Sequence, residues 1–261
     1  MTRRPILFDC AGAALAGTLD LPVGDDPSGA ALLIVSGGNE VRSGAWSGQA
    51  QLAARIAAQG FPVLRFDRRG VGDSEGANTG FRGSAADIAA ALAALRERCP
   101  LVKRVAALGN CDAASALMLA GGAGCAALVL ANPWTFDADD QAAAAPAAIR
   151  AHYRQRLKDM GAIRRLLTGQ VSLRGLLAGL RHGAAPTPPP SELASAMRAG
   201  LDAFSGPVIF PVAERDRTGR AFIEAWGADD RIRLCPQASH SFVEPDARPW
   251  LETLVMEVLR G

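Results

Sequence analysis

The amino-acid sequence predicts an α/β fold in which a mostly parallel central sheet carries helices on both faces. Short apolar runs alternate with amphipathic segments along most of the 261 residues, which is typical of strands alternating with helices. One of these runs, Ala31 to Val35, is apolar at every position, as in a strand buried on both faces. Between residues 137 and 200 the pattern contains no strong strand candidate, which predicts a helical insertion in the sheet-forming part of the chain.

In the first half of the chain, the strands are predicted at 6–10, 14–20, 31–35 and 61–66, with Gly12 at the first turn. The first helix is predicted at 47–59, where Ala, Leu and Ile recur at helical spacing before Gly60. A long glycine-rich loop follows the fourth strand, from Asp67 to Gly83. Ser84 followed by Asp87 resembles a capping box, and it predicts the start of a helix that runs to about Arg98.

In the second half, strands are predicted at 104–108, 126–131, 206–212 and 231–235, and helices from about 112, near 218–226 and near 246–260. We therefore assign residues 1–136 and 201–261 to the α/β core and 137–200 to the insertion. Open α/β sheets bind ligands at the carboxyl ends of their strands, so we expect the insertion to form a lid over that edge.

Composition excludes several classes of function. The 28 Lys and Arg residues nearly balance the 26 Asp and Glu residues, which argues against a nucleic-acid partner. The alanine-rich runs are too short or too polar to span a membrane. The first residues lack the apolar segment and cleavage site of a secretory signal, so we expect a cytoplasmic protein.

The metal-ligating and nucleotide-binding patterns are missing from the sequence. The five cysteines are odd in number and form no C-x-x-C pair, and the three histidines form no H-E-x-x-H motif. The glycines at 70, 72 and 76 have the wrong spacing for a dinucleotide-binding loop, and Asp67 and Arg69 are expected to hold this loop together instead. We therefore predict no metal and no cofactor.

The segment from Val105 to Ala116 has the pattern of a strand, a sharp turn and a helix. Cys111 occupies the turn, and the small residues Gly109 and Ala113 let the strand and the helix approach each other closely. A thiol at a helix start is suited to nucleophilic attack, because the helix dipole and a nearby imidazole favour the thiolate. The alternative is an inert core thiol, which is the usual state of a cysteine.

A histidine and an acid follow in the chain order that a catalytic triad on this architecture requires. His240 lies in the loop after the last strand, whereas His152 and His182 fall inside the insertion and are not candidates. Asp216 is the preferred acid, because it stands at a strand-to-helix turn, and Glu214 is the fallback. The alternative for either acid is helix capping alone.

The loop from Ser36 to Gly44 is predicted to supply the oxyanion hole. We expect its donors to be the backbone N–H of Gly38 or Asn39 together with that of Asp112, which follows Cys111. Arg42, Glu40 and Trp134 are candidates for substrate contact. A turn explains the glycine pair equally well, and a solvated loop side chain explains Arg42.

Together these residues resemble the α/β-hydrolase superfamily over essentially the whole chain. The segment Phe66 to Ser74 is similar to that family's D-x-R-G-x-G-x-S loop, and Gly109 to Ala113 stands where its G-x-S-x-G elbow would be. The departures are Cys at 111, Ala at 113 and Ser36-Gly37 where His-Gly is common. Elbows with cysteine resemble those of dienelactone-hydrolase-type members, so the resemblance implies that Cys111 is compatible with activity.

More narrowly, the chain resembles the group 1 hydrolases associated with bacterial exosortase A systems. This resemblance is carried by four segments, at 35–44, 65–76, 109–116 and 131–134. The family is defined by its association with exopolysaccharide and protein-sorting genes, so it implies a context and not a substrate.

The residues and the resemblance favour acyl transfer. We expect Cys111, His240 and Asp216 to hydrolyse a small ester or thioester through a covalent acyl-enzyme. An acyltransferase with a sugar hydroxyl or amine as acceptor uses the same residues, and a catalytically silent fold that binds a ligand is the third hypothesis. A homodimer is kept as an alternative to a monomer.

Overall fold

The chain folds around an eight-stranded sheet, which a computed structural model describes for residues 1–24, 29–136 and 191–261. The strands are Thr2–Cys10 (β1), Ala13–Leu21 (β2), Ala30–Val35 (β3), Val63–Phe66 (β4), Arg104–Asn110 (β5), Ala127–Ala131 (β6), Val208–Ala213 (β7) and Ile232–Cys235 (β8). They lie in the order β1-β2-β4-β3-β5-β6-β7-β8. β1 and β2 pair antiparallel with their neighbours, and β3 to β8 are parallel, so the predicted fold class is confirmed.

Helices cover both faces of the sheet. They are Gly48–Ala58 (α1), Ala85–Arg98 (α2), Asp112–Leu119 (α3), Glu192–Asp202 (α4), Arg217–Trp226 (α5) and Ala247–Arg260 (α6), with short 3-10 turns at Ala45–Ser47, Phe81–Gly83 and Gly121–Gly124. α1 and α6 pack their apolar side chains on one face, and α2 to α5 pack on the other.

The strand β3 shows why a continuous apolar run belongs at the centre of such a sheet. Ala31, Leu33 and Val35 belong to the core beneath α2 to α5, whereas the alternating residues at 30, 32 and 34 belong to the core beneath α1 and α6. All six residues are buried, because successive side chains of a strand point to opposite faces and both faces are covered.

The hairpin at the amino terminus is longer than the sequence pattern predicts. Its turn is Ala11-Gly12, as expected, and both residues have the positive φ that a two-residue turn of type I′ requires. β1, however, begins at Thr2 instead of residue 6. Residues 2–5 are exposed, so they lack the apolar pattern, but they pair with β2 at the edge of the sheet.

The capping box predicted at Ser84 and Asp87 does not form. Helix α2 does begin at Ala85, but the Ser84 hydroxyl donates to the carbonyl of Gly80 and makes no cap hydrogen bond. The Asp87 carboxylate instead accepts from the backbone N–H of Arg69 at 3.1 Å and contacts the Arg69 side chain. Tertiary contacts with the glycine-rich loop have replaced the local cap.

Most of the predicted insertion, with His152 and His182, lies outside the described residues. Its last segment forms α4, whose N-cap Ser191 accepts a hydrogen bond from the Ala194 N–H. Leu193, Met197 and Leu201 of this helix are buried in the same core as α2, α3 and α5. By its packing, α4 therefore belongs with the α/β core.

Parallel strands place their carboxyl ends at one edge of the sheet, and the loops that follow them meet there. The loops after β3, β5, β6, β7 and β8 carry the candidate site residues at this edge.

Candidate active site

Cys111 stands in a strained turn between β5 and α3. Its φ of 61° and ψ of −126° lie in a region that residues other than glycine rarely adopt, so the surrounding packing must hold the turn. A Cβ atom on Gly109 would lie 2.7 Å from the backbone carbon of Ala113 and the backbone nitrogen of Ala114. The strand and the helix therefore approach as closely as the predicted elbow requires.

The neighbouring strand β6 and the segment after it hold this turn. The backbone N–H of Cys111 donates to the carbonyl of Ala131 at 2.9 Å, and its carbonyl accepts from the N–H of Trp134 at 3.3 Å. The buried hydroxyl of Ser115 donates to the Trp134 carbonyl at 2.7 Å. The half-buried thiol of Cys111 is thus presented from a backbone that is fixed on both sides.

His240 and Asp216 are in direct contact. Nδ1 of His240 lies 3.0 Å from Oδ2 of Asp216. The same oxygen accepts the N–H of Gly219 at 2.8 Å, because Asp216 is the N-cap of α5. The Asp216 carboxylate therefore both caps α5 and contacts the imidazole of His240. Glu214 is exposed, and its Oε2 accepts from the backbone N–H of Gln237 at 3.0 Å.

Hydrogen bonds with Asp216, the larger effect, and with Cys111 raise the pKa of His240 to about 10. Burial acts in the opposite direction and lowers the pKa. Burial on its own would raise the pKa of Asp216, but hydrogen bonds from His240 and from the N–H groups of Gly219 and Thr218 hold it below its usual value. His240 therefore stands between the Asp216 carboxylate and the Cys111 thiol, and its hydrogen bonds favour the charged form of the imidazole.

Two asparagines that sequence analysis assigned no role hold the loop of His240. Nδ2 of Asn110 and Nδ2 of Asn132 each lie 3.2 Å from the carbonyl oxygen of His240. Oδ1 of Asn132 accepts the N–H of Ala213 at 2.8 Å, at the end of β7. Asn132 is fully buried and directly follows the buried strand β6. A polar residue at the end of a buried strand is the sequence signal that could have identified it as part of the site.

The predicted oxyanion donors lie beside the elbow, but Gly38 is already engaged. Its N–H donates to Oδ1 of the Asp112 side chain at 2.6 Å. The N–H of Asp112 is the first of α3 and has no acceptor within the helix, as at any helix start. The side chain of Asn39 accepts from Nδ2 of Asn78 at 2.9 Å.

The side chains predicted to touch substrate are placed differently. Nη2 of Arg42 lies 2.8 Å from Oδ2 of Asp73, its Nη1 contacts the buried Asp67, and its Nε donates to Thr18. Arg42 therefore joins the loops after β3 and β4. Nε1 of Trp134 donates to the carbonyl of Phe136 at 2.9 Å.

Exposed Glu40 lines a cavity of about 80 Å³ between the sheet, α1 and α6. Its walls are mainly apolar and include Trp46, Leu52 and Leu251. Asn110 and Ser241, the neighbours of Cys111 and His240 in sequence, also line it. The cavity therefore adjoins the backbone that carries Cys111 and His240.

Among residues 1–24, 29–136 and 191–261, no group of three or more His, Cys, Asp or Glu side chains is arranged to hold a metal ion. No helix within these ranges is both long and apolar enough to cross a bilayer.

The sequence matches the model of the alpha/beta hydrolase family over residues 32–253. No curated protein matches the chain.

Several solved structures share the fold. The alpha/beta hydrolase GrgF from Penicillium sp. sh18 is 16% identical, with a TM-score of 0.65 and 100% of both chains covered. Est1E from Butyrivibrio proteoclasticus, solved with ferulic acid, is 14% identical, with a TM-score of 0.60 over 98% of this chain and 100% of that chain. The Pyrococcus furiosus esterase Pf2001 is 15% identical, with a TM-score of 0.62 over 99% of this chain and 90% of that chain.

Proposed function

Because the chain belongs to the alpha/beta hydrolase family, we propose that it cleaves small esters or thioesters through an acyl-enzyme formed on Cys111. The observation that carries this proposal is the line of contacts from Asp216 through His240 to Cys111. A nucleophile, a base within hydrogen-bond reach and a group that orients the base are the three parts of nucleophilic acyl transfer.

In the proposed reaction, the Cys111 thiolate forms a bond to the carbonyl carbon of the substrate. The tetrahedral intermediate then expels the alcohol or thiol, which leaves with the bonding electrons and takes its proton from the His240 imidazolium. A water molecule next gives a proton to the neutral imidazole and attacks the thioester on Cys111. The carboxylic acid is released, and thiolate and imidazolium are restored.

Asp216 remains a carboxylate through this cycle. Its contact with Nδ1 fixes the tautomer of the neutral imidazole and stabilises the imidazolium. Esters and thioesters are better substrates than amides for such a site, because the thiolate leaves the tetrahedral intermediate more readily than an amine does. An amide adduct therefore returns to substrate more readily than an ester or thioester adduct does.

The test is intact-protein mass spectrometry after mixing the protein with p-nitrophenyl acetate or a short acyl thioester. We expect wild type to gain the mass of one acyl group and Cys111→Ala to gain none. Cys125→Ala is the matched control, because burial raises the pKa of this thiol to about 11 and keeps it unreactive. An adduct that persists in Cys111→Ala would count against Cys111 as the nucleophile. An absence of both adduct and turnover in wild type would count against the proposal and favour a silent binding fold.

The narrower resemblance to exosortase A-associated hydrolases supports a second candidate, an acyltransferase in exopolysaccharide metabolism. It is carried by the four segments at 35–44, 65–76, 109–116 and 131–134. Both candidates form the same acyl-enzyme and differ in the acceptor. Faster decay of the adduct with added sugar alcohols or amines, accompanied by an acylated acceptor, would support the transferase; decay independent of acceptor would support the hydrolase.

A further inference from the structure

The backbone N–H of Gly38, an expected donor of the oxyanion hole, already donates a hydrogen bond to a carboxylate. The Gly38 N–H and Oδ1 of Asp112 are 2.6 Å apart, which is a short, charge-assisted hydrogen bond. Asp112 directly follows Cys111, so this carboxylate lies within the candidate site. A substrate carbonyl that needs the Gly38 N–H must first displace it.

The loop after β3 is built to admit this side chain. A Cβ atom on Gly37 would lie 2.8 Å from Oδ1 of Asp112 and 2.6 Å from the carbonyl oxygen of Asn110. Because any larger residue would collide there, glycine at 37 lets the carboxylate reach Gly38. The side chain of Asp112 is only 16% exposed, while the contact itself, at the exposed Gly38, is open to solvent.

A second partner for the carboxylate stands nearby. Nη2 of Arg68 lies 3.7 Å from Oδ2 of Asp112, and the same nitrogen contacts the carbonyl of Gly38. Arg68 is itself buried and donates through Nη1 to the hydroxyl of Ser84 at 2.9 Å. A small rotation of Asp112 toward Arg68 would thus exchange one hydrogen bond for a tighter ion pair and free the Gly38 N–H.

We propose that Asp112 limits acylation, because its carboxylate competes with the substrate for the Gly38 N–H and must move toward Arg68 before the oxyanion is bound. This inference rests on the acyl-transfer function proposed above. While the carboxylate stays in place, it withholds a donor from the developing oxyanion and sets a like charge beside it, so both effects oppose the transition state. Rotation toward Arg68 frees the donor and pairs the negative charge more closely with a guanidinium.

A purely structural role for Asp112 makes a different prediction. An acid in the first turn of a helix is stabilised by the helix dipole, and Arg68 adds an ion pair. If the role is purely structural, removing Asp112 would lower the stability of the fold and change the rates of all reactions of Cys111 by the same factor. If Asp112 competes with the substrate for the Gly38 N–H, removing its carboxylate speeds acylation of Cys111 but not a reaction of the same thiol that forms no oxyanion.

The experiment therefore compares two reactions of the same thiol in the full chain. Rate constants are measured for acylation by p-nitrophenyl acetate, followed by p-nitrophenolate release, and for alkylation by iodoacetamide, followed by mass. The variants are Asp112→Asn and Asp112→Ala, with Glu97→Ala on the exposed face of α2 as the charge-matched control. Thermal unfolding shows which variants are folded at the assay temperature, and a Cys111→Ala background shows that both signals come from that thiol.

We expect Asp112→Ala to raise the ratio of acylation to alkylation by roughly tenfold or more, since one oxyanion donor contributes on the order of 10²–10³ to rate. Asp112→Asn retains a neutral acceptor for Gly38 and should give an intermediate ratio. Glu97→Ala should leave the ratio unchanged.

An unchanged or lower ratio in both Asp112 variants would overturn the inference and leave the acyl-transfer function intact. If iodoacetamide modifies Cys111 but neither the ester nor a thioester acylates any of these proteins, the acyl-transfer function fails, and this inference fails with it.

Discussion

Nδ2 of Asn132 lies 3.2 Å from the carbonyl oxygen of His240, while Oδ1 of the same amide accepts the N–H of Ala213. One buried side chain therefore links the loop of His240 to the end of β7, three residues before Asp216. Nδ2 also reaches Oδ1 of Asn110 at 3.0 Å, next to Cys111. The three backbone segments that carry the proposed triad meet at this amide.

Replacing Asn132 by alanine should weaken both the fold and the reaction. The buried N–H of Ala213 would lose its acceptor, which costs about 1–3 kcal/mol of unfolding free energy. The His240 carbonyl would keep the hydrogen bond from Asn110 only, so we expect slower acylation of Cys111 through a displaced imidazole. Denaturant unfolding and acylation by p-nitrophenyl acetate measure the two effects.

Asn110→Ala is the comparison for this prediction, because it removes one donor to His240 without touching Ala213. It should slow acylation with a smaller loss of stability. Acylation at the wild-type rate in folded Asn132→Ala would show that the amide supports the fold alone.

The fold and the elbow could be predicted from sequence because their causes are local. An apolar run such as 31–35 reports burial on both faces, and the small residues around Cys111 report the close approach of a strand and a helix. The carboxyl-terminal boundary of the insertion does not have a local cause of this kind. Residues 192–202 have a helical pattern, but only tertiary packing shows that this helix lies in the core.

Side-chain partners set by tertiary contacts could not be predicted in the same way. Asp87 has capping spacing from Ser84, but Arg69 engages its carboxylate. The loop glycines identified Gly38 as a donor, but the rotamer that brings Asp112 to its N–H depends on how two loops meet. Arg42 was a candidate for substrate contact because nothing in the sequence places Asp67 and Asp73 against its guanidinium.

Gly109→Ala should disrupt the elbow. The new Cβ would lie 2.7 Å from backbone atoms of α3, which cannot yield as a flexible side chain would, so β5 and α3 must separate. Overpacking of this kind costs about 1–3 kcal/mol, and the displaced Cys111 should acylate more slowly. Gly29→Ala is the control, since its Cβ would meet nothing within 4 Å. Equal thermal unfolding and equal acylation in the two variants would contradict the close packing.

Asp216→Asn and Glu214→Gln should separate the two acids. The asparagine is nearly isosteric and can still cap α5, but it removes the charge beside Nδ1 of His240. We expect acylation to fall by roughly a hundredfold or more, since the neutral amide no longer stabilises the imidazolium. Glu214→Gln should stay close to wild type, because Glu214 is exposed and contacts the backbone of Gln237. A loss in Glu214→Gln only would reverse the assignment of the acid, and the same loss in both variants would contradict an assignment to Asp216 alone.

The His240 ring should titrate far above an ordinary histidine. Its pKa is raised from 6.5 to about 10 by Asp216 first and by Cys111 second, so the ring should keep its charge through neutral pH. NMR of the ring protons between pH 5 and 11, with His240→Gln to assign the signal, measures the midpoint. Asp216→Asn should move that midpoint down. A wild-type midpoint near 6.5 would contradict the proposed ion pair.

The same shift fixes how stability depends on pH. A histidine whose pKa is higher in the folded than in the unfolded chain stabilises the fold fully below about 6.5, and this contribution is lost as pH rises toward 10. Asp216 stays ionised across that window, because its own pKa is lowered. The difference in unfolding free energy between wild type and His240→Gln should therefore be constant near pH 6 and shrink steadily up to pH 10. Denaturant unfolding at several pH values measures it, and a difference that grows with pH would mean that His240 is held neutral in the fold.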